Sequence, residues 1–244
     1  MSNNSNNTTR LLADFVRQSH WSPFQNNLAC CGLMIVFAKL CLEGLRYWNA
    51  AAASGDQQSN SKPGLYGLLS ACLFFWPLFD YNVCWSWRLN CIVPAAVLLR
   101  CLLLRQQFGP AVYAAVLVVL GLYRFMTAEA AVIVAAVGVG DTLAPLVGIN
   151  FGRHVYHMPL TNSKTMEGSV VGVFLGTCAG CYFLLYTMGI ALLPLRIVLA
   201  YAGIAAMVEG SSPETLDNVM VPLALHFSMD RVQAVLGNWT KMDG

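Results

Sequence analysis

The sequence predicts an all-α, polytopic membrane bundle of about seven transmembrane helices, on three observations. Of its 244 residues 57% are hydrophobic and only 11% charged, whereas about a quarter of a soluble domain is charged. The mean hydropathy is +0.58. From Leu28 onward, apolar stretches of roughly the 17 to 25 residues that cross a bilayer follow one another with short interruptions.

Residues 1–27 are polar and rich in Asn and Ser, and they lack the charged start, apolar core and cleavage site of a secretory signal. They read as a disordered leader. Helices are expected near 28–48, 65–85, 89–104, 110–127, 129–149, 168–193 and 194–208, with a shorter apolar piece near 219–236 and a tail at 237–244. The third and seventh are short for a span. With no internal repeat and no second composition regime, 28–236 reads as one membrane domain.

The net charge of +2 comes from 14 basic and 12 acidic residues thinly spread, without a basic block to follow a phosphate backbone. Nucleic acid is therefore not an expected partner. Five of the nine cysteines (Cys30, Cys31, Cys41, Cys72 and Cys101) sit in apolar runs and read as small hydrophobes. Two polar loops, Asn150 to Glu167 and Glu209 to Asn218, are separated by two expected crossings, so both emerge on one membrane face. The linker with Lys62 and the turn with Arg105 share that face. Basic residues divide almost evenly between the two sides, so the positive-inside rule assigns no orientation.

Asp141 lies deep in the run Ala130 to Ile149, where an ionised carboxylate in lipid costs at least ~2.5 to 3.5 kcal/mol. It must face protein, water or a cation. Gly138, Gly140 and Gly148 around it let a neighbouring backbone or a phosphate approach closely. The plainer alternative is a buried pair with Arg100 or Arg124. Lys164, with hydroxyls beside it and a helix start after it, can cradle phosphate, although an interfacial loop with a snorkelling lysine looks the same. Glu209, Glu214 and Asp217, with Asn218, offer the hard oxygens Mg²⁺ prefers, or else form a solvated loop capping the next helix. Cys178 and Cys181 read as packing, and His154 and His157 lack a third metal ligand.

Taken together, Gly140-Asp141-x-x-Ala144-x-x-x-Gly148-x-x-Phe151-Gly152-Arg153, Lys164-Thr165-x-Glu167-Gly168-Ser169, and Glu209 followed by Leu216-Asp217-Asn218-x-x-Val221-Pro222-Leu223 resemble the CTP-dependent lipid kinases. That family includes phytol, farnesol and dolichol kinases and the yeast-type diacylglycerol kinase. The likeness is greatest to the phytol and farnesol kinase branch and runs over about residues 62 to 236. It implies phosphorylation of a long-chain isoprenoid alcohol by CTP with Mg²⁺. Asp141, Lys164 and Asp217 would be catalytic, with Lys164 at the phosphates and Asp141, Asp217 and Glu209 holding the metal. Gly140, Gly148, Gly152, Arg153, Thr165, Glu167, Gly168 and Asn218 would contact the nucleotide, with Glu167 and Gly168 shaping the turn. The chain departs from the family at Pro145, where a second acid is usual and where proline is expected to bend or end the helix. An Arg-Lys-x-x-His motif expected before Trp76-Pro77 is also absent. The rival readings are a phosphatidate cytidylyltransferase-like enzyme and a catalytically silent scaffold or transporter. A plastid and an endoplasmic-reticulum membrane are equally compatible. A kinase site requires Asp141, Lys164 and Asp217 within about 15 Å, the reach of one Mg-nucleotide.

Overall fold

A computed structural model describes residues 21–53, 73–81, 85–104, 108–157, 164–213 and 216–237. The chain divides into two compact units, one of residues 1–123 with 187–189 and one of residues 124–186 with 190–244. The span 28–236, expected as one membrane domain, is thus shared between them.

The first unit holds three helices: α1 (Pro23–Ala53), α2 (Ile92–Leu103) and α3 (Phe108–Tyr123). A 3₁₀ segment, Leu73–Leu78, stands where part of a helix over 65–85 is expected, and a second, Trp85–Cys91, leads into α2. Residues 65–72 and 82–84 of that expected helix lie outside the described residues, as do Lys62, Cys72 and Arg105. Pro77, which has no N–H to donate, sits inside the first 3₁₀ segment, where a short turn tolerates it better than an α-helix would. The supposed leader needs correction at its end. The helix starts at Pro23, and Asn27 is fully buried because its side chain has tertiary work: it donates to the Asp80 carbonyl at 2.7 Å and to Ser86 Oγ at 2.9 Å, and accepts from Asp80 N–H at 2.7 Å. Its polarity reflects a bonded core position. Residues 1–20 and 238–244, the remaining leader and most of the tail, lie outside the described residues.

The second unit is built from α4 (Ala128–Phe151), α5 (Gly168–Thr187), α6 (Leu195–Ser211) and α7 (Asp217–Gly237), with a two-residue antiparallel hairpin, β1 (Val155–Tyr156) and β2 (Lys164–Thr165), between α4 and α5. α4 packs on α5, α5 on α6, α6 on α7, and α7 back on α4. Thr127 caps α4, its side chain accepting from Ala130 N–H, which satisfies one of the open amides of the first turn. Of the two outcomes expected at Pro145, ending the helix does not occur: α4 runs through it to Phe151. The side chain there is exposed, so the ring faces outward and only one ladder bond is lost.

The α4–α5 contact explains the glycines. On α4 the small residues Ala136, Gly140, Ala144 and Gly148 recur every fourth position, and on α5 so do Gly168, Gly172, Gly176 and Gly180. A Cβ on Gly172 would lie 2.5 Å from Ala144 Cα, and one on Gly176 would lie 3.1 Å from Gly140 Cα. These helices therefore meet backbone to backbone, the arrangement small residues allow between apolar helices. Each contains π-helical turns, at Ala135–Gly140 and Gly168–Leu175, the first of them running straight into Asp141.

Four helical stretches are long and apolar enough to cross a membrane: Pro23–Gly44, Trp85–Leu103, Ala128–Phe151 and Gly168–Thr187. α3 is apolar but shorter. Large apolar side chains such as Leu40, Leu103, Tyr123, Ile149 and Phe151 are exposed along them, a surface suited to lipid rather than to water. The all-α expectation stands, and four such helices among the described residues mark a membrane protein, where about seven are expected over the whole chain.

Candidate active site

The site lies in the second unit and assembles from the two loops that the sequence places on one face. Residue pairing in the hairpin sets Tyr156 opposite Lys164, and directly opposed residues share a face of their ladder. Both side chains reach the C-terminal end of α6. Lys164 Nζ donates to Glu209 Oε1 at 2.8 Å and to the Glu209 main-chain carbonyl, and lies 3.9 Å from Asp217 Oδ2. The Tyr156 hydroxyl is 2.8 Å from Ser169 Oγ and 3.2 Å from the Gly210 carbonyl, while Ser169 donates to Glu209 Oε2 at 3.3 Å.

Asp141, from the start of the α-helical turns after the π segment in α4, joins this group. One carboxylate oxygen each from Asp141, Glu209 and Asp217 lie within 4.8 Å of one another. Glu209, Asp217 and Asn218 are buried. The three acids and Asn218 line a small pocket closed by Ala136, Val137, Val173 and Val221, with room for about one water-sized particle. Asp217 heads α7, and its Oδ1 accepts from the Asn218 amide at 2.8 Å, which places a carboxylate at the positive end of the helix. With all three ionised, the carboxylates would exceed the one ammonium by two negative charges in a confined space. A single divalent cation matches that donor set and that charge.

Asp141, Lys164, Glu209 and Asp217 therefore converge well inside the reach of one Mg-nucleotide. Arg124, the alternative partner of Asp141, instead pairs with Glu129 at 3.2 Å. The other residues expected at the nucleotide have structural work. Gly140, Gly148 and Gly168 form the helix contact. The Thr165 hydroxyl accepts from Gly168 N–H at 3.2 Å, so an amide expected to face phosphate is already capped. A Cβ on Gly152 would run into Thr165. Arg153 is exposed. Glu167 accepts from the His154 amide at 3.3 Å and from His154 Nδ1 at 2.7 Å. That imidazole holds its carboxyl down from the usual 4.5 to about 2. His154 is thus engaged by a carboxylate, and Cys178 and Cys181 are free thiols. Glu214 lies outside the described residues.

Tyr156 was not legible as a site residue, because a two-residue strand carries no periodic signal. Ser169 stood in the Lys164 motif without a role, and its link to Glu209 spans 40 positions.

These features define a membrane protein with a carboxylate–lysine site in a helical unit. No family model matches the chain. Over 96 residues it is 35% identical to a protein named Phytol kinase from Synechocystis sp., a match that covers 37% of this chain and 41% of that protein. The likeness supports kinship with a lipid kinase family without singling out a member.

Proposed function

We propose that the protein is a multi-pass membrane kinase that transfers the γ-phosphoryl group of CTP to the hydroxyl of a long-chain isoprenoid alcohol, giving the monophosphate and CDP. The observation that carries this reading is the convergence of Asp141, Glu209 and Asp217 within 4.8 Å of one another around Lys164, together with the local likeness to a phytol kinase. Phosphoryl transfer asks a protein chiefly for position and for positive charge against the charge developing on the phosphoryl oxygens. Mg²⁺ held by the acidic cluster would neutralise phosphate charge. Lys164 would add a cation on the same side, and Asn218 a polar contact at the pocket wall. The apolar faces of the helices would receive the isoprenoid tail, leaving its hydroxyl at the polar end.

The test is transfer of label from γ-labelled CTP to a panel of phytol, farnesol, geranylgeraniol, dolichol and diacylglycerol by the detergent-purified protein. Label is expected in an isoprenoid monophosphate and is expected to vanish in Asp141→Asn and Lys164→Ala. No transfer by folded protein to any alcohol would refute the reading.

A further inference from the structure

Within that reading of the site, on which this inference rests, we infer that Glu209 is the fixed counter-ion of Lys164 and not a cation ligand, and that Tyr156 and Ser169 hold it in that role. Each carboxylate oxygen of Glu209 already accepts one hydrogen bond, Oε1 from Lys164 at 2.8 Å and Oε2 from Ser169 at 3.3 Å. The same ammonium also reaches the Glu209 main-chain carbonyl, so it grips one residue at two points. Asp217 Oδ2, at 3.9 Å, is beyond hydrogen-bonding distance of that ammonium.

In this relay of hydroxyls, with the Ser169 proton directed to Glu209 Oε2, Tyr156 has one proton for two acceptors, of which Ser169 Oγ at 2.8 Å is the nearer. Tyr156 also lies 3.2 Å from the Gly210 carbonyl, the residue next to Glu209. Hairpin, α5 and the end of α6 are thereby tied to one carboxylate. Lys164 and Glu209 cancel in charge, so Asp141 and Asp217, when both are ionised, supply two negative charges that match a divalent cation. Glu209, Ser169 and Tyr156 are positioning residues in this arrangement: they aim the Lys164 ammonium, and the two aspartates face the metal.

The experiment measures Mn²⁺ binding to the full-length protein in detergent micelles, from the loss of the free-ion electron paramagnetic resonance signal. Asp217→Asn should bind at least about tenfold more weakly than wild type. Glu209→Gln alone should also weaken binding, because it releases Lys164 toward Asp217. The double variant Lys164→Met with Glu209→Gln removes the pair together and should return the affinity to within about threefold of wild type, a coupling that a double-mutant cycle isolates. A folded double variant that binds as poorly as Asp217→Asn would overturn the inference, since Glu209 would then be a ligand. Tyr156→Phe supplies an arm that does not alter charge. It should leave Mn²⁺ affinity unchanged and raise the KM for CTP about threefold to tenfold with kcat retained, and an unchanged KM would remove the relay. Wild type that binds no Mn²⁺ would overturn the metal reading itself and this division of labour with it. Failure of the double variant alone leaves the metal reading standing.

Discussion

Placing a methyl group on Gly172 tests whether the α4–α5 contact builds the site. An added Cβ would sit 2.5 Å from Ala144 Cα, 2.8 Å from Ala144 N and 3.0 Å from Leu143 C. Carbon atoms pack at about 3.5 to 4.0 Å, so the helices must part by about 1 Å. All three atoms are backbone, which cannot rotate away as a side chain could. Overpacking of this kind costs about 1 to 3 kcal/mol, offset by about 0.5 to 1 kcal/mol from replacing glycine with alanine inside a helix. Gly203 in α6, where an added methyl would meet nothing within 4 Å, supplies the control, because Gly203→Ala keeps that gain without the clash. Reversible unfolding in mixed micelles should therefore show Gly172→Ala less stable than wild type and Gly203→Ala slightly more stable. Equal stability of the two variants would refute the backbone-to-backbone packing. Because the same contact sets Asp141 against the end of α6, Gly172→Ala should also weaken Mn²⁺ binding, whereas Gly203→Ala should not.

The remaining predictions concern single polar groups. Lys164→Met leaves three converging carboxylates without their ammonium and should cost about 3 kcal/mol of stability, partly recovered on adding Mg²⁺; denaturant titration with and without the ion checks this. Asn27→Ala deletes three hydrogen bonds, to Asp80 twice and to Ser86, and at ~1 kcal/mol each should destabilise the protein by about 3 kcal/mol, read from its unfolding curve. The carboxyl of Glu167, held near 2 by His154, contributes stability that is fully present above its ordinary 4.5 and lost as the pH falls from there toward 2. In His154→Ala its titration should move back up toward 4.5, followed by carbon NMR of the labelled side chain, and an unmoved midpoint would discount the pair.

Helix content was legible because long apolar runs leave few alternatives: the stretches expected at 129–149 and 168–193 are α4 and the start of α5 to within a few residues at their first ends. The 65–85 run misled, since apolar composition does not distinguish an α-helix from 3₁₀ turns around Pro77. Polarity misled at Asn27, which is buried and bonded. At the site, Asp141 announced itself as a charge within an apolar run, where every ion needs a partner, while Lys164, Glu209 and Asp217 stood in polar loops and drew notice by their residue types and motif spacing. Tyr156 and Ser169 carry no charge and act through contacts far apart in sequence, so no spacing rule exposes them. The glycines around Asp141 were seen, with the close approach of a backbone or of a phosphate left open, and the approach of a neighbouring helix is the one the geometry of Gly140 and Gly148 matches.

The measurement closest to the central claim uses CTP labelled separately at the α and γ phosphorus, with purified protein, Mg²⁺ and phytol or farnesol. Phosphoryl transfer at the Asp141, Lys164 and Asp217 site predicts γ-label in the lipid product and α-label retained in CDP, with both variants Asp141→Asn and Asp217→Asn silent. Appearance of α-label in the lipid would mean that a cytidylyl group moves instead, and no label in the lipid from folded protein would contradict a kinase altogether.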